Sequence, residues 1–343
     1  MSESRVRIRD VADKAGVSVT TVSHVLNEVP GKRISSSTRA RVQRAAADLG
    51  YAPSSLARNL RLQRTQMLAL VSDEIATTPH AGRIILGAQE AASKHGWLLM
   101  LVNTGRDEEF EAREIQALRQ RQVDGFLYAR MFHQQIALPA DLAGVPTVLL
   151  DARSDDGTIP SVVPDEVTGG RTATRELVRH GHRRIGFVNN VDDIPASQGR
   201  LQGYRNALSE AGIDVDERLV VEGTSDSAGG FGGAGELLSR ADRPTALFCF
   251  NDRMAMGAYY AAAERGLRIP YDLSVVGFDD QELIADGLRP GLTTVALPHY
   301  EMGAWAVDTL IGQIQGRERD GPAHVELNCP LVTRGSVSPP PQN

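Results

Sequence analysis

The N-terminal part of the chain places apolar side chains at helical spacing. Residues 8–27 (IRDVADKAGVSVTTVSHVLN) predict two short helices joined by a tight turn, in which Gly16 can take the positive φ that ends the first helix and Ser18 can cap the second. One stripe of this segment is apolar and comprises Val11, Ala15, Val17, Val22, Val25 and Leu26. The opposite face points outward and carries Val19, Thr20, Ser23 and His24. The pattern predicts a helix-turn-helix whose second helix can enter a DNA major groove, although an αα-hairpin inside a core has the same spacing.

A third helix and a shorter fourth one follow. Ser35 or Ser37 can cap the third helix, and Gly50 can end it. Its apolar stripe at i, i+3, i+4, i+7 consists of Val42, Ala45, Ala46 and Leu49. Residues 52–61 (APSSLARNLR) predict a short helix that begins at its proline. Because a helix of about eight residues is marginal in water, we expect it to form against DNA or a second copy of the chain, and Leu60 either inserts into DNA or only packs on the preceding helices.

From residue 65 onwards, apolar strands alternate with helical patterns. The strands are almost continuously apolar, which is typical of parallel sheets covered on both faces, so the fold class is α/β after an all-α N-terminal part. Predicted strands lie at 67–72, 97–103, 124–129, 147–151, 184–189, 219–222, 246–251, 275–279 and 293–297. Predicted helices lie at 83–95, 108–121, 168–180, 199–211, 252–265 and 300–315. The proline-rich tail, 336–343 and above all 339–343, is expected to be disordered.

The charge is distributed unevenly along the chain. The 343 residues carry a net charge of −6, yet residues 1–64 hold 12 Lys and Arg against 5 Asp and Glu, and the remaining residues hold 25 against 38. A basic module on an acidic chain indicates a polyanionic partner. DNA is favoured over an anionic membrane because the module lacks an aromatic-rich amphipathic face. No apolar run is long enough to span a bilayer and no secretory leader is evident, so we expect a cytoplasmic protein.

Polar residues stand at the ends of the predicted strands, where open parallel sheets bind their ligands. They are Asp73, Asp151, Asn190, Asn251, Asp252, Asp279 and Asp280, with Arg200 at the start of a helix. Planar side chains of this kind make paired hydrogen bonds to adjacent hydroxyls, so a sugar or another polyol is the expected guest. An aspartate at a strand end also commonly caps the next helix. We expect this simpler role for Asp252, and ligand contact for Asp279 and for Arg200, whose guanidinium would fork onto neighbouring hydroxyls.

Other kinds of chemistry have less support. There is no Ser/His/Asp order, P-loop or dinucleotide glycine signature, and residues 229–233 (GGFGG) are interpreted as a flexible helix start. Cys249 and Cys329 lie in apolar runs and are expected to be buried thiols in a reducing compartment. His180 and His182 are two residues apart, but without further ligands nearby they do not predict a metal site. We therefore expect no cofactor and no bound metal.

The chain resembles the lactose-repressor (LacI/GalR) family of bacterial transcription regulators from Arg7 to Val337. The resemblance rests on these motifs, in this order: DVADKAGVSVTTVSHVLN (10–27), RVQRAAADLGYAPSSLARNLR (41–61), GGRTATRELVRHGHRRIGF (169–187), RLQGYRNAL (200–208), FNDRMAMGA (250–258), SVVGFDD (274–280) and TTVALPHYEMG (293–303). It implies a regulatory domain with two lobes, similar to periplasmic sugar-binding proteins. The implied limits are 1–51 for a helix-turn-helix headpiece, 52–64 for a hinge helix and linker, 65–338 for the regulatory domain, 65–160 with 291–322 for its N-lobe, and 161–290 with 323–338 for its C-lobe.

The resemblance also implies site residues. The base-reading positions are Val19, Thr20 and His24, and the phosphate or groove-edge contacts are Ser18, Thr21, Ser23 and Asn27. Leu60 corresponds to a hinge leucine that inserts into the minor groove, and Arg61 beside it is included as a DNA contact. The effector-binding positions are Arg200, Asn251 and Asp279, with Asp73 on a loop that usually lines the same cleft.

The chain departs from the family pattern at several positions. Arg7 stands where a threonine usually caps the first helix, and the stretch 27–38 is longer than in several relatives. The loop 73–83 (DEIATTPHAGR), which contains His80, replaces an Asn-Pro-Phe type of sequence. Contacts after the recognition helix and the identity of the ligand therefore do not carry over from the family.

These features together predict a homodimeric, allosteric repressor that binds a near-palindromic operator and responds to a sugar or sugar derivative. Whether the ligand relieves repression or acts as a corepressor stays open. A secreted solute-binding protein would share the regulatory fold, but it would need an export signal and would leave the headpiece without a purpose. A sugar-processing enzyme would need an acid/base pair of carboxylates with tuned pKa values, and turnover of candidate sugars would distinguish it.

Overall fold

The computed structural model describes residues 6–26, 31–51, 64–78, 82–105, 107–317, 321 and 323–341. The chain divides into two compact units, Met1–Thr65 and Gln66–Asn343. Each unit has hydrophobic core residues of its own. Within the described residues, no helix has the length and apolar character needed to cross a membrane.

The first unit consists of helices packed around a small apolar core. Its described helices are α1 (Ile8–Ala15), α2 (Val19–Leu26) and α3 (Ser36–Leu49). The buried residues of the core are Val11, Ala12, Ala15, Val22, Val25, Val42, Ala45 and Ala46. The helix-turn-helix and the third helix are thus confirmed as elements.

The turn and the caps of this unit also follow the prediction. Gly16 has φ 64°, in the left-handed region that favours glycine. The Ser18 hydroxyl accepts a hydrogen bond from the backbone N–H of Thr21 at 3.2 Å. The Ser35 hydroxyl does the same for the N–H of Thr38 at 3.2 Å, so Ser35 is the cap of α3.

Helix α1 begins without a side-chain cap from Arg7, as the sequence suggests. The carboxylate of Asp10 compensates, because it accepts a hydrogen bond from the backbone N–H of Arg7 at 2.7 Å. A negative charge in the first turn also interacts favourably with the helix dipole. The start of α1 is therefore stabilised from inside the helix.

The second unit has two lobes, and the first is built on a parallel sheet with helices on both faces. In spatial order its strands are β11 (His324–Leu327), β5 (Ser161–Pro164), β4 (Thr147–Ser154), β3 (Gly125–Ile136), β1 (Met67–Ser72) and β2 (Leu98–Asn103). Its helices are α4 (Gly82–Lys94), α5 (Glu108–Gln120) and α11 (His299–Ile314). Helix α5 covers one face, while α4 and α11 pack together on the other.

The second lobe repeats this architecture. In spatial order its strands are β12 (Leu331–Val332), β10 (Thr293–Ala296), β9 (Ser274–Asp279), β8 (Ala246–Cys249), β6 (Ile185–Asn190) and β7 (Val220–Gly223). The strands pair in parallel except β12, which is antiparallel to β10. Its helices are α6 (Glu166–Arg179), α7 (Pro195–Glu210), α8 (Ser227–Leu238), α9 (Asp252–Glu264) and α10 (Glu282–Ala285).

The chain passes between the two lobes at 164–166, at 296–299 and at 327–331. The lobe limits inferred from the sequence are therefore wrong at β5 and β11, which belong to the first sheet, and at β10, which belongs to the second. The physical reason is that a short apolar run shows that a strand forms, but not which sheet edge it joins.

The predicted strands and helices are confirmed within a few residues, with additions. Elements that the pattern does not predict are β5, β11, β12 and α10, and α8 is predicted only by its start. Strand β3 continues to Ile136 beyond an irregularity between Ala129 and Gln134. Cys249 and Cys329 are buried free thiols, as predicted.

The helix start predicted at 229–233 is confirmed, since these residues lie in the first two turns of α8. Helix α8 packs against α9. A Cβ atom on Gly230 would lie 2.2 Å from the carbonyl oxygen of Met254, and one on Gly257 would lie 2.2 Å from that of Ser227. No side chain fits at such distances, so these glycines permit the close contact between the two helices.

The C-terminal segment is not disordered as far as Ser338. Ser336 is fully buried, and its hydroxyl accepts from the N–H of Thr293 at 2.8 Å and donates to the carbonyl of Val275 at 2.6 Å. The carbonyl of Ser338 lies 2.9 Å from Nε2 of His182. These bonds tie the tail to the second lobe, and they give His182 a structural role. Residues 342–343 lie outside the described part.

Candidate functional site

The outer face of α2 carries the residues predicted to contact DNA. Val19 is 41% exposed, Thr20 is exposed, and Ser23 and His24 are partly buried. The hydroxyls of Ser18 and Thr21 lie 2.9 Å apart at the start of the helix. The face is therefore polar and open at its N-terminal end, where a recognition helix meets base edges. Asn27, Leu60 and Arg61 lie outside the described residues.

The surface of the first unit is rich in positive charge. Its exposed basic residues, within the described part, include Arg7, Arg9, Lys14, Lys32, Arg33, Arg41 and Arg44. The ion pair between Lys14 and Asp48 is on the surface, with an N–O distance of 3.1 Å. Such a surface attracts the phosphates of nucleic acid without regard to sequence.

A cavity of about 100 Å³ lies between the lobes of the second unit. This volume is smaller than the roughly 300–1,000 Å³ of small-molecule sites. The first lobe contributes Phe132 and Asp151 to its lining, and the second contributes Arg200, Asn251 and Asp279. The structure thus brings Arg200, Asn251 and Asp279 together, although they are far apart in the sequence.

Arg200 is held by hydrogen bonds in the floor of this cavity. Its Nε donates to Oε2 of Glu166 at 2.7 Å, and Nη2 donates to Oε1 of the same carboxylate at 3.4 Å. Its Nη1 donates to the carbonyl of Phe250 at 2.6 Å and to Oδ1 of Asp279 at 3.5 Å. The Nε and Nη2 groups of Arg200 therefore face Glu166, and ligand contact by Arg200 stays a prediction.

Aromatic rings and buried charge complete the surroundings of Arg200. Its Cζ lies 4.3 Å from the ring centroid of Phe250 and 3.7 Å from that of Phe278. Burial opposes the charge of the guanidinium, but Glu166 and Asp279 outweigh it and raise the pKa of Arg200. Burial also raises the pKa of Glu166, against the lowering effect of Arg200. Arg200 thus fixes the positions of Phe250 and Asp279 at the cavity wall.

Two aspartates of the cavity adopt unusual backbone conformations. Asp151 has φ 53° and Asp279 has φ 102°, both in the left-handed region. Strained non-glycine residues of this kind concentrate at functional sites. Oδ1 of Asp151 is buried and has no hydrogen-bond partner among the described residues. Burial, followed by the nearby charge of Glu166, raises the pKa of Asp151 well above its usual range, which favours the neutral carboxyl, a form that can donate a hydrogen bond.

Asn251, not Asp252, caps helix α9. Oδ1 of Asn251 accepts from the N–H of Met254 at 2.8 Å, and Nδ2 donates to the carbonyl of Ser225 at 3.1 Å. Asp252 is the first residue of the helix, and its carboxylate is bound by the hydroxyl of Thr294 at 2.6 Å. The cap predicted at Asp252 is wrong by one residue. Asn251 keeps one amide N–H for the cavity.

Asp73 lies apart from the other predicted effector residues. It lines a neighbouring cavity with Glu111 and Arg130, and Phe132 lines both cavities. Oδ1 of Asp73 accepts from the backbone N–H of Glu74 at 2.8 Å. The structure therefore does not bring Asp73 into the cavity of Arg200. His80 lies outside the described residues.

Sequence reasoning does not single out Glu166 and Phe250, and it leaves Asp151 among the unassigned strand ends. Glu166 lies two residues before the region predicted as helix, and only the fold shows that it faces Arg200. The signal for Asp151 is present, because it is an acidic residue inside an otherwise apolar run. Phe250 has no signal, since an aromatic residue beside a strand is ordinary core.

Known families match both units of the chain. The family described as "Bacterial regulatory proteins, lacI family" matches residues 7–54, and "Periplasmic binding proteins and sugar binding domain of LacI family" matches residues 64–334. The ribose operon repressor of Haemophilus influenzae is 38% identical over 312 residues, which are 90% of this chain and 92% of that protein.

Solved structures agree with these matches. A complex of the transcriptional regulator CelR with cellobiose is 35% identical with a TM-score of 0.69, and the match covers 97% of this chain and 100% of that one. The lac repressor dimer bound to operator and the anti-inducer ONPF is 29% identical with a TM-score of 0.76, covering 98% and 100%. The chain therefore belongs to the LacI family and is a DNA-binding transcriptional regulator with an effector-binding domain of the periplasmic-binding-protein type.

Proposed function

We propose that this chain represses transcription as a homodimer on a near-palindromic operator, and that a sugar or sugar derivative between its lobes controls this binding. The observation that carries the proposal is the cavity around Arg200, with polar side chains in its lining, in the same chain as a basic helix-turn-helix unit. The lac repressor, which is similar to this chain, is solved as a dimer on operator. A two-fold dimer presents two recognition helices to two half-sites.

On DNA, the contact residues predicted between 18 and 27 divide into two roles. Base edges are read by Val19, Thr20 and His24, while phosphates or groove edges are contacted by Ser18, Thr21, Ser23 and Asn27. The hinge residues Leu60 and Arg61 contact the operator between the half-sites, with Leu60 as a wedge in the minor groove. The exposed start of α2 supports the division, because N-terminal residues of a recognition helix reach base edges first.

In the cavity, the ligand hydroxyls meet complementary groups. Asp279 accepts hydrogen bonds, the remaining N–H of Asn251 donates one, and the neutral carboxyl of Asp151 donates or accepts. The aromatic ring of Phe250 supplies an apolar wall beside them. This mixture of acceptors, donors and a flat apolar wall suits a polyol, and the similar regulator CelR is solved with cellobiose.

Control of DNA binding follows from the position of the cavity. Since each lobe contributes to the lining, a bound ligand stabilises one relative position of the lobes over others. The ligand acts through this difference in affinity between states, whether it induces or corepresses. No cofactor is needed for this action. Because the target is DNA, we place the protein in the cytoplasm.

We propose binding without catalysis. The carboxylates of a glycosidase need to flank the scissile bond, with one of them free to act as nucleophile or base. Here Glu166 is occupied by Arg200. The relatives are named as repressors, which agrees with this role. Incubation of the protein with candidate sugars, followed by product analysis, is expected to show no turnover.

The proposal is tested with the full chain in two steps. Sites are first selected from fragmented genomic DNA by binding to the protein, and are then sequenced. Affinity for a selected site is next measured by fluorescence anisotropy while ribose, cellobiose and other sugars are titrated. A two-fold symmetric site whose affinity changes with a sugar supports the proposal. Binding without sequence preference, or an affinity that no sugar alters, contradicts it.

A further inference from the structure

Arg253 lies in the first turn of α9 and lines the cavity between the lobes. Its Nε is buried and has no hydrogen-bond partner. Within the described residues, the rest of its guanidinium also has no hydrogen bond or ion pair. A buried donor without a partner costs free energy, so a cationic group in this state at a cavity wall indicates a partner that comes from outside the chain.

Neighbouring carboxylates do not satisfy Arg253. The pKa of Asp226 is lowered, first by the hydrogen bond from the N–H of Gly229 and next by that from the hydroxyl of Thr224. The charge of Arg253 contributes least to this lowering, so the two side chains interact only weakly. Oδ1 of Asp226 is occupied by the N–H of Gly229 at 2.8 Å and the hydroxyl of Thr224 at 2.9 Å. By contrast, Arg334 of the same lobe binds the carboxylate of Asp280 at 2.8 Å.

The other charges of the cavity leave room for an anion. Glu166 and Asp279 are both paired with Arg200. Burial raises the pKa of Asp151 and so opposes a negative charge on its carboxyl. Asp192 is the remaining lining carboxylate within the described residues. An anionic group beside Arg253 therefore meets one cation with open donors, and the positive end of the α9 dipole adds to the attraction.

We propose that Arg253 binds an anionic group of the effector, so that the effector is a sugar phosphate or a sugar acid. This inference rests on the proposed function of the cavity as a sugar site. The planar guanidinium presents paired N–H groups that match carboxylate and phosphate oxygens, and charge-assisted hydrogen bonds of this kind are the strong ones. The hydroxyls of the same ligand are left for Asp279, Asn251 and Asp151.

The test compares neutral and anionic probes of the same skeleton. The probes are ribose with ribose 5-phosphate, glucose with glucose 6-phosphate and glucuronate, and inorganic phosphate alone. Affinity is measured by isothermal titration calorimetry on the full chain and on the variants Arg253→Gln and Arg253→Lys. The matched control is Arg268→Gln, because Arg268 is an exposed arginine of the same lobe, paired with Asp272 outside the cavity.

We expect an anionic sugar to bind the wild type more tightly than its neutral counterpart. Arg253→Gln should lower the affinity for the anionic sugar by about 10- to 100-fold. Arg253→Lys should lower this affinity less, and Arg268→Gln should leave it unchanged. The phosphate and glucuronate arms show which anion is preferred.

The inference is overturned if neutral sugars bind as tightly as their anionic counterparts. It is also overturned if Arg253→Gln weakens the binding of both kinds of sugar equally, because Arg253 would then not recognise the anionic group. Tight binding of inorganic phosphate alone also overturns it, because the site would then not recognise a sugar. If no sugar of either charge binds, the proposed function fails together with this inference.

Discussion

Arg200 and Glu166 form a buried ion pair within the second lobe, with 2.7 Å between Nε and Oε2 and side chains that are 4% and 6% exposed. Removing one partner of such a pair leaves an uncompensated charge in the interior. Glu166→Ala should therefore lower the free energy of unfolding by about 3–5 kcal/mol, measured by urea denaturation.

The surface pair of Arg205 and Glu217 serves as the control for this prediction. Its N–O distance is 2.8 Å, but its side chains are 38% and 61% exposed. Glu217→Ala should cost no more than about 1 kcal/mol. Equal losses of unfolding free energy in Glu166→Ala and Glu217→Ala would contradict the prediction, because they would show that burial does not raise the cost of removing Glu166.

Asp151 predicts a pH dependence of stability. In the unfolded chain its carboxyl ionises near pH 3.9, whereas burial raises its pKa in the folded state. Between those two pH values the folded state binds more protons, so the free energy of unfolding falls as pH rises. Asp151→Asn has no carboxyl at this position and so lacks this pH dependence. The Tm of the variant should therefore rise relative to that of the wild type as pH increases above about 4.

Asp272 gives the opposite sign and serves as the control. Hydrogen bonds from Arg268 lower the pKa of Asp272 to about 2. Its stabilising effect is fully present above the unfolded pKa. The effect is lost as pH falls from the unfolded pKa through the folded pKa of about 2. The deficit of Asp272→Asn relative to wild type should thus shrink in acid. Parallel Tm profiles for Asp151→Asn and the wild type would mean that Asp151 is ionised in the folded protein.

Asp279→Ala should separate DNA binding from its control. The change removes an acceptor for ligand hydroxyls, which weakens effector binding by about 1–3 kcal/mol. Operator affinity without ligand should stay close to wild type, since Asp279 lies in the unit that lacks the helix-turn-helix. The measurement is operator affinity across an effector titration. An unaltered response to effector would place the binding site away from Asp279.

His24 and Arg41 distinguish reading of bases from attraction to phosphates. His24→Ala should relax the preference at one base position of each half-site, at a cost of about 1–3 kcal/mol for the preferred base. Arg41→Ala should weaken binding evenly over all sequences, or not at all. Binding of a randomised operator library, followed by sequencing, measures both. If neither variant changes the preferred sequence, His24 is a phosphate contact.

The glycines of α8 predict opposite effects of the same substitution. Gly230→Ala would place its Cβ 2.2 Å from the backbone of Met254, so it should destabilise by about 1–3 kcal/mol or more. At Gly232 no atom lies within 4 Å of an added Cβ. Gly232→Ala should therefore stabilise by about 0.5–1 kcal/mol, because alanine favours the helix. Urea denaturation measures both, and equal signs would contradict the packing of α8 against α9.

The extent to which sequence predicts this fold depends on what the pattern encodes. Long apolar strands such as β1 and β9 are visible as runs, and caps such as Ser18 and Ser35 follow from local chemistry. Strand β12 has only two residues, which is too short for a periodic signal.

The site shows the same division. The shared place of Arg200, Asn251 and Asp279 in one cavity follows from sequence because each stands beside a strand or helix end. Their partners depend on tertiary packing instead. The contact between Glu166 and Arg200 joins residues 34 positions apart, and that between Arg200 and Phe250 joins residues 50 apart. No local pattern contains such a distance.

Two of the three segments that join the lobes, 164–166 and 296–299, also form part of the cavity, because Pro164, Glu166, Leu297 and His299 line it. Parallel covalent links permit the lobes to swing about a line through the links, but they resist sliding and independent twisting. A ligand in the cavity would therefore contact the linking segments, which form the hinge of that rotation, as well as both lobes. A bound ligand can therefore affect the angle between the lobes directly, through its own contacts. No chain of intervening side chains is needed to transmit the effect.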